Sequence, residues 1–531
     1  MSMEILDCTL RDGGYINNWR FGRETIAAIL EKLDQAGIDI IECGFLTREG
    51  GDRDCSLFSS LEAVEAVLPR QRRARYVAMI AMGEKELEPS ALPDNDGRVL
   101  QGIRLTFHKA EADKAFCWAK ELMAKGYPVY LQPVGTVSYS DLELLHLVEK
   151  VNVLEPYAFY IVDTLGSMYR NQVTRRFHLL DENMAPGIRL GFHGHNNLQL
   201  AFSNAQVLGQ IQTKRQLLLD SSVYGMGRGA GNLPTELIAR YIDQNIASRY
   251  DVSLVMDVYD QHIADIRKKH QWGYSMAYHI AAVHVCHPNY ASFLLEKRDL
   301  PVKDMEAVLQ SIPENRRAVY DPDLIRRLYH QFQERQIDDS QTVEQLARVL
   351  RQRRLLLLGG GESLAEKRRE IGDFIQKEQP FVVSVNFWDD AFPTDACFVS
   401  SRRCREAIRR QLAGAPWPRE APRAILTSNL PEEEGALFVD YASCLNGDAA
   451  VADAPGLMLL RLLKRCGASQ VYLAGFDGVR AGAGCPLGFA CGLEGEREDL
   501  RDRQRRIRKQ LGRLGLQIIF LTPSAYEDEE D

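Results

Sequence analysis

Across residues 1–245, short apolar runs alternate with longer stretches in which apolar residues recur every three or four positions. The runs predict strands at Glu4–Cys8, Ile38–Cys43, Arg75–Ile80, Gly102–Thr106, Val129–Gln132, Phe159–Val162, Ile188–Phe192 and Leu217–Asp220. Each gap holds one helix. In Glu24–Ala36, for example, Ile26, Ile29, Leu30 and Leu33 share one helical face. Strands alternating with helices build a parallel sheet. Eight such units match the size of a (β/α)8 TIM barrel. An open doubly wound sheet fits less well, because polar residues follow the strand ends all round the series.

The pattern then changes. Residues 246–350 read as helices only: Met256–Lys268, Ala277–Val285, Tyr290–Leu295, Asp304–Ser311 and Asp323–Glu334. They predict a helical extension packed on the barrel. A second α/β stretch over residues 351–525 carries seven short apolar runs bounded by turn residues, with helical patterns such as Cys404–Leu412 and Pro455–Cys466 between some of them. It predicts a Rossmann-like domain. Residues 526–531 form an acidic tail, expected to be solvated.

Composition narrows the function classes. Of 531 residues, 45% are hydrophobic and 26% charged, ordinary values for a globular protein. A net charge of -8 gives no footing for nucleic-acid binding. No stretch is apolar enough to span a membrane, and the start MSMEILDCTLRDGG lacks the features of a signal peptide. The 11 cysteines include no CxxC pair; the nearest grouping is Cys485 with Cys491. Reduced thiols and a cytoplasmic setting are therefore expected, without a structural zinc site.

The candidate chemistry sits at predicted strand ends. In Gly191-Phe192-His193-Gly194-His195-Asn196-Asn197, alternation along a strand points His193 and His195 the same way. Two imidazoles at the carboxyl end of a barrel strand make a natural pair of metal ligands. Asp7-Cys8-Thr9-Leu10-Arg11-Asp12-Gly13-Gly14 ends the first strand. Asp12 can complete a carboxylate plus two-histidine site. The planar fork of Arg11 suits a carboxylate or an enolate oxygen. Gly13 and Gly14 would let the chain turn sharply there. Glu42, at the end of the second strand, can pair with Arg11. The loop Gly225-Met226-Gly227-Arg228-Gly229-Ala230-Gly231-Asn232 follows the eighth strand, in a place that often binds phosphate, and Asn232 offers a carbonyl oxygen as a fourth ligand.

Asp7-x-Thr9-Leu10-Arg11-Asp12-Gly13, Glu42, His193-x-His195 and the glycine loop ending at Asn232 together resemble the DRE-TIM metallolyase superfamily, within it the 4-hydroxy-2-oxovalerate aldolases. Ile103–His108 and Trp272–Tyr278 resemble the aldolases' fourth strand and helical extension. The resemblance implies a divalent ion, Mn²⁺ or Mg²⁺ (with Zn²⁺ or Co²⁺ as substitutes), held by Asp12, His193 and His195. It also implies an enolate steadied by Arg11, and a 2-oxo acid and an aldehyde as small-molecule partners. A homo-oligomer and a partner dehydrogenase docked on the helical extension are further expectations. One position departs from the family. The aldolases place a histidine base three residues after the metal aspartate, where this chain has Tyr15; Tyr15, His108 and Tyr278 are the candidates for that role.

Other readings compete: a synthase condensing an acyl-CoA with a 2-oxo acid, an iron oxygenase using the same triad, and a silent barrel kept for binding. In the second α/β stretch, Leu355–Ser363 reads as a strand, a glycine turn and a helix start, where amides can hold phosphate. With Ser384-Val385-Asn386 and Ala474–Gly478, that stretch faintly resembles sialyltransferase-like and nucleotide-sugar domains, which implies by analogy a role in surface-polysaccharide or sugar metabolism.

Overall fold

A computed structural model describes residues 3–297, 299–350, 353–412, 423–478 and 497–527. Cys485, Cys491 and the acidic tail from residue 528 lie outside the described residues. The chain divides into two compact units, one of Met1–Ala291 with Pro313–Tyr320, the other of Ser292–Ile312 with Asp321–Asp531.

The first unit contains eight parallel strands closed into a barrel: β1 (Met3–Asp7), β2 (Ile40–Leu46), β3 (Arg75–Ala81), β4 (Ile103–Phe107), β5 (Val129–Pro133), β6 (Ala158–Asp163), β7 (Arg189–Gly194) and β8 (Leu217–Ser221). Closure is made by β1, which pairs with β8 on one side and β2 on the other. A two-residue strand, Leu57–Phe58, adds to β2. The alternation of side chains explains the runs of apolar sequence, since both faces of each strand are buried. Ile5, Ile41, Ala78, Ile103, Leu105, Leu217 and Leu219 pack outward in the core shared with the helices. Leu6, Ile40, Val77, Tyr130, Tyr160 and Leu218 fill the barrel itself. The same parity turns Glu42, Arg104, His193 and Asp220 inward.

The predicted helical extension is not one body. Residues 246–291 and 313–320 belong to the barrel unit, and 292–312 and 321–350 to the second unit. In the latter, helix Ser340–Leu350 buries Leu346 and Leu350 in the same core as Leu355 and Leu357 of the second sheet. An amphipathic period shows that a helix has a buried face but not which core receives it.

The second unit is built on seven parallel strands: β9 (Leu355–Leu358), β10 (Phe381–Val385), β11 (Ala396–Val399), β12 (Arg423–Thr427), β13 (Leu437–Val439), β14 (Gln470–Ala474) and β15 (Gln517–Phe520). Their order is β13-β12-β11-β10-β9-β14-β15, a doubly wound sheet whose order reverses between β9 and β14. The glycine turn after β9 is closed to phosphate. Asp477, just past β14, accepts the backbone N–H of Ser363 at 2.8 Å and the Ser363 hydroxyl as well. A carboxylate thus already caps that helix start. The glycines serve close approach instead: a Cβ on Gly359 would lie 2.5 Å from the Gly475 oxygen, and one on Gly361 would lie 2.4 Å from Asp477.

Candidate active site

At the carboxyl ends of the barrel strands, a cavity of about 160 Å³ is lined by Arg11, Asp12, Tyr15, His108, His193 and His195, among others. Asp12, His193 and His195 are all buried, and one ligand atom from each lies within 4.8 Å of the others. The sequence places them there by two routes. His193 and His195 follow one another at i, i+2 from the end of β7, with ring centroids 5.1 Å apart. Asp12 arrives on the turn after β1, where its backbone N–H and that of Arg11 both bond to the Cys8 oxygen.

Gly13 and Gly14 serve a purpose other than a sharp turn. Neither has a positive φ. A Cβ on Gly14 would lie 2.1 Å from the Trp19 ring, which packs across this loop and donates from Nε1 to the Arg11 carbonyl at 2.8 Å. The glycines after β8 likewise shape the site. Gly225, Gly229 and Gly231 take left-handed backbone, and a Cβ on Gly227 would collide with the Asn232 amide. Asn232 can then donate to Asp12 Oδ2 at 2.6 Å and to the Met226 carbonyl at 3.1 Å. Asn196 and Asn197 hold the same loop: the N–H of Asn196 donates to the Gly231 carbonyl, and Asn197 Oδ1 accepts from the N–H of Ala230.

Under the cavity runs a chain of buried charges. Arg11 donates from Nη1 to Asp12 Oδ1 at 2.6 Å and from Nε to Glu42 Oε2 at 2.7 Å. Arg104 donates to the same Glu42 oxygen at 2.8 Å and to Asp220 Oδ2. Asp220 Oδ2 lies 3.0 Å from His193 Nδ1. Glu42 and Arg104 are wholly inaccessible to solvent. The chain joins Asp12 to His193 through four side chains, Arg11, Glu42, Arg104 and Asp220, and fixes both rotamers. A carboxylate behind a ligating histidine sets its tautomer and leaves Nε2 for the metal.

Electrostatics match this arrangement. Burial pushes the Asp12 carboxyl up, but Arg11, then His195, His193 and Arg228, hold it well below the usual carboxylate range. Burial lowers the His195 pKa to about 3, so its imidazole is neutral and able to ligate. Three carboxylates and two guanidinium groups leave the chain of charges one negative charge in excess. Arg11 Nη2, His195 Nδ1 and Asn232 Oδ1 are buried without a partner. The donor set, two imidazoles and a carboxylate with no thiolate, fits Mn²⁺, Mg²⁺, Co²⁺ or Zn²⁺.

The other sequence candidates separate. Glu42 lies beneath the cavity as the anchor of Arg11. Tyr15 lines it, yet burial pushes its hydroxyl far above its ordinary range, and that hydroxyl donates to Glu84 at 3.1 Å. His108 lines the cavity and is exposed. Tyr278 is not brought to the site: it lies in helix Met276–Val283, its N–H bonded to the Ser275 cap, and it is not among the cavity-lining residues. Sequence reasoning missed Arg104, Asp220, Glu84, Arg228 and His287. For Arg104 and Asp220 a signal existed, a charge at an inward position of an otherwise apolar strand.

A closed barrel with a carboxylate and two histidines at its carboxyl mouth defines a metal-dependent TIM-barrel enzyme. The HMGL-like family pattern matches residues 109–261. The 4-hydroxy-2-oxovalerate aldolase of Thermomicrobium roseum is 32% identical over 321 residues, 56% of this chain and 85% of that protein. The enzyme of the same name from Geobacillus thermodenitrificans is 28% identical over 273 residues, 49% of this chain and 76% of its own length. Among solved structures, the N-terminal domain of a putative aldolase from Bacteroides vulgatus aligns with a TM-score of 0.47 at 21% identity, covering 55% of this chain and 96% of that one. The chain belongs to the HMGL-like (DRE-TIM) family and is a metal-dependent aldolase, a carbon–carbon lyase. Among the described residues, no helix is long and apolar enough to cross a membrane.

Proposed function

We propose that the barrel cleaves a 4-hydroxy-2-oxo acid to a pyruvate-type 2-oxo acid and an aldehyde, and runs the same step in reverse. The observation that carries this reading is the unpartnered, buried Nη2 of Arg11 beside the Asp12–His193–His195 triad. A divalent ion, Mn²⁺ or Mg²⁺, would be held by those three residues with Asn232 at the edge of the set, and would supply Lewis-acid polarisation of the 2-oxo group. Arg11, its Nε and Nη1 already committed, has one nitrogen, Nη2, free to donate to the oxygen on which charge develops. Glu42 and Asp12 keep that guanidinium from turning, so the donor is in place before charge appears.

Cleavage needs a base for the 4-hydroxyl proton. As that proton passes to the base, the O–H electron pair forms the C4=O of the aldehyde, the C3–C4 pair passes into the C2–C3 bond and the C2 carbonyl electrons move onto its oxygen; the resulting enolate is then protonated at C3 by the protonated base or water. Tyr15 is unsuited, being held protonated by burial and pledged to Glu84. His287 also lines the cavity, but its Nε2 accepts from Arg228. We assign proton transfer to His108.

Pyruvate release from a panel of 4-hydroxy-2-oxo acids, with and without Mn²⁺, tests the function. Metal-dependent pyruvate formation supports it. With metal bound and no pyruvate from any member, the aldolase reading fails, and product formation that requires an acyl-CoA would replace it with the condensing synthase.

A further inference from the structure

Arg228 is the cavity's one lining guanidinium, among the described residues, that no carboxylate meets within 4 Å. It sits between Gly227 and Gly229 in the loop after β8. Two contacts fix it. Its guanidinium carbon stacks 3.9 Å from the centroid of the Tyr15 ring, and its Nη1 donates to His287 Nε2 at 2.9 Å. An arginine has no acceptor, so the imidazole nitrogen must carry the lone pair. Burial and then Arg228 itself push the His287 pKa well down, and the ring stays neutral. The pair therefore keeps its full positive charge.

The other charged groups on the lining have partners in direct contact. Arg11 is taken by Asp12 and Glu42, while Glu84 is taken by Lys85 at 2.7 Å and by the Tyr15 hydroxyl. Asp12 and Glu84 feel the Arg228 charge only through space, and a pre-oriented fork that no carboxylate occupies, in a part-buried cavity, suits an oxyanion. The 2-oxo acid end of the substrate already has the metal triad and Arg11. The charge of Arg228 is thus left for the other end.

We propose that Arg228 makes this enzyme selective for an anionic aldehyde, one bearing a carboxylate or a phosphate, and so for a 4-hydroxy-2-oxo acid with a second acidic group. This rests on the aldolase reading above. Tyr15 acts as a positioning residue, its phenol ring the platform on which the fork lies.

The test runs the condensation of pyruvate with matched aldehydes in the presence of Mn²⁺: succinic semialdehyde against butanal, and glyceraldehyde 3-phosphate against glyceraldehyde. In one pair the wild-type enzyme should prefer the anion by about tenfold or more in kcat/KM, and the pair that shows it tells carboxylate from phosphate. Arg228→Ala should cut that ratio by roughly 10- to 100-fold, mainly through the KM of the aldehyde. Arg228→Lys should keep part of the ratio, and it serves as the probe if the alanine variant does not fold. No preference in either pair, a ratio unchanged by both substitutions, or an equal loss for anionic and neutral aldehydes overturns the proposal. Mn²⁺-dependent exchange of the pyruvate methyl protons with D₂O, followed by NMR on the wild type, separates the two readings. Exchange without anion preference overturns only the role of Arg228, whereas absence of exchange overturns the aldolase reading and this one with it.

Discussion

Each unit buries a cluster of charges, and the two clusters are finished differently. In the barrel, Asp12, Arg11, Glu42, Arg104, Asp220 and His193 form a chain that ends at a cavity; Arg11 Nη2, His195 Nδ1 and Asn232 Oδ1 have no partner at the cavity end, nor do Glu42 Oε1, Arg104 Nε and Asp220 Oδ1 deeper in the chain. In the second unit, Asp453 takes Lys297 on both oxygens, at 2.7 and 3.0 Å, and the Tyr329 hydroxyl at 2.9 Å. Asp299 there accepts from Gln333 at 2.5 Å, with Tyr329 3.1 Å away. None of Lys297, Asp299, Asp453 or Tyr329 is left with an unpartnered buried atom. An unmade hydrogen bond in the interior costs about 1–3 kcal/mol, so a folded chain keeps several together only where something else completes them. The cavity end of the open cluster is where a ligand can complete it, and the closed cluster belongs to the fold.

That contrast is broken most severely at the metal triad. Asp12→Asn or His195→Ala should lose Mn²⁺, followed by calorimetry, and pyruvate release together; full turnover without bound metal would overturn the site. Next comes proton transfer. His108→Ala should lower kcat by ~100-fold or more, while Tyr15→Phe, removing a hydroxyl pledged to Glu84, should change kcat by less than about threefold with a neutral aldehyde. The reverse order of effects would return the base to Tyr15. Asp220→Asn keeps the shape of the support behind His193 but not its charge. Mn²⁺ affinity should weaken by roughly 10- to 100-fold, with activity recovered at high metal; unchanged affinity would mean that the chain of charges does not reach the metal.

Much of the open cluster was legible, because its signals are local. Period two puts His193 and His195 on one side of β7, and a carboxylate beside an arginine at the end of β1 can be seen without a fold. Arg104 and Asp220 were not read, because what makes them partners is barrel closure, which brings β4 and β8 to one interior; along the chain they are lone charges in apolar runs. Arg228 was hidden in a loop whose glycines suggested phosphate, and its meaning depends on having no carboxylate in contact with it, which a sequence cannot display. The seven runs of the second sheet announced their strands. The phosphate expected at Gly359–Gly361 failed because Asp477, more than a hundred residues on, already fills that helix start. The helices of residues 246–350 were visible as helices, but amphipathicity is silent on which core each one joins.

The closed cluster offers the converse prediction, with the smallest effect on turnover. Burial pushes the Asp453 carboxyl up, but the Lys297 ammonium and its hydrogen bonds hold it well below the usual carboxylate range. A carboxyl depressed in the folded state contributes stability above its unfolded pKa of about 3.9, and the contribution is lost as pH falls toward the folded value. Lys297→Met removes the counter-charge and leaves burial opposed mainly by the Tyr329 hydrogen bond. The variant should lose about 3–5 kcal/mol at pH 7. The loss should begin to shrink above about pH 4, as Asp453 with its pKa raised in the folded variant takes up a proton, and shrink further below about pH 4 as the wild type loses the contribution of its own depressed carboxyl. Hydrogen exchange over residues 353–412 reads this unit directly, and pyruvate release at 25 °C should match the wild type while the protein stays folded. If Lys297→Met is as stable as the parent, the Lys297–Asp453 pair does not hold the second unit together; if it lowers pyruvate release by the folded protein, that cluster serves the chemistry after all.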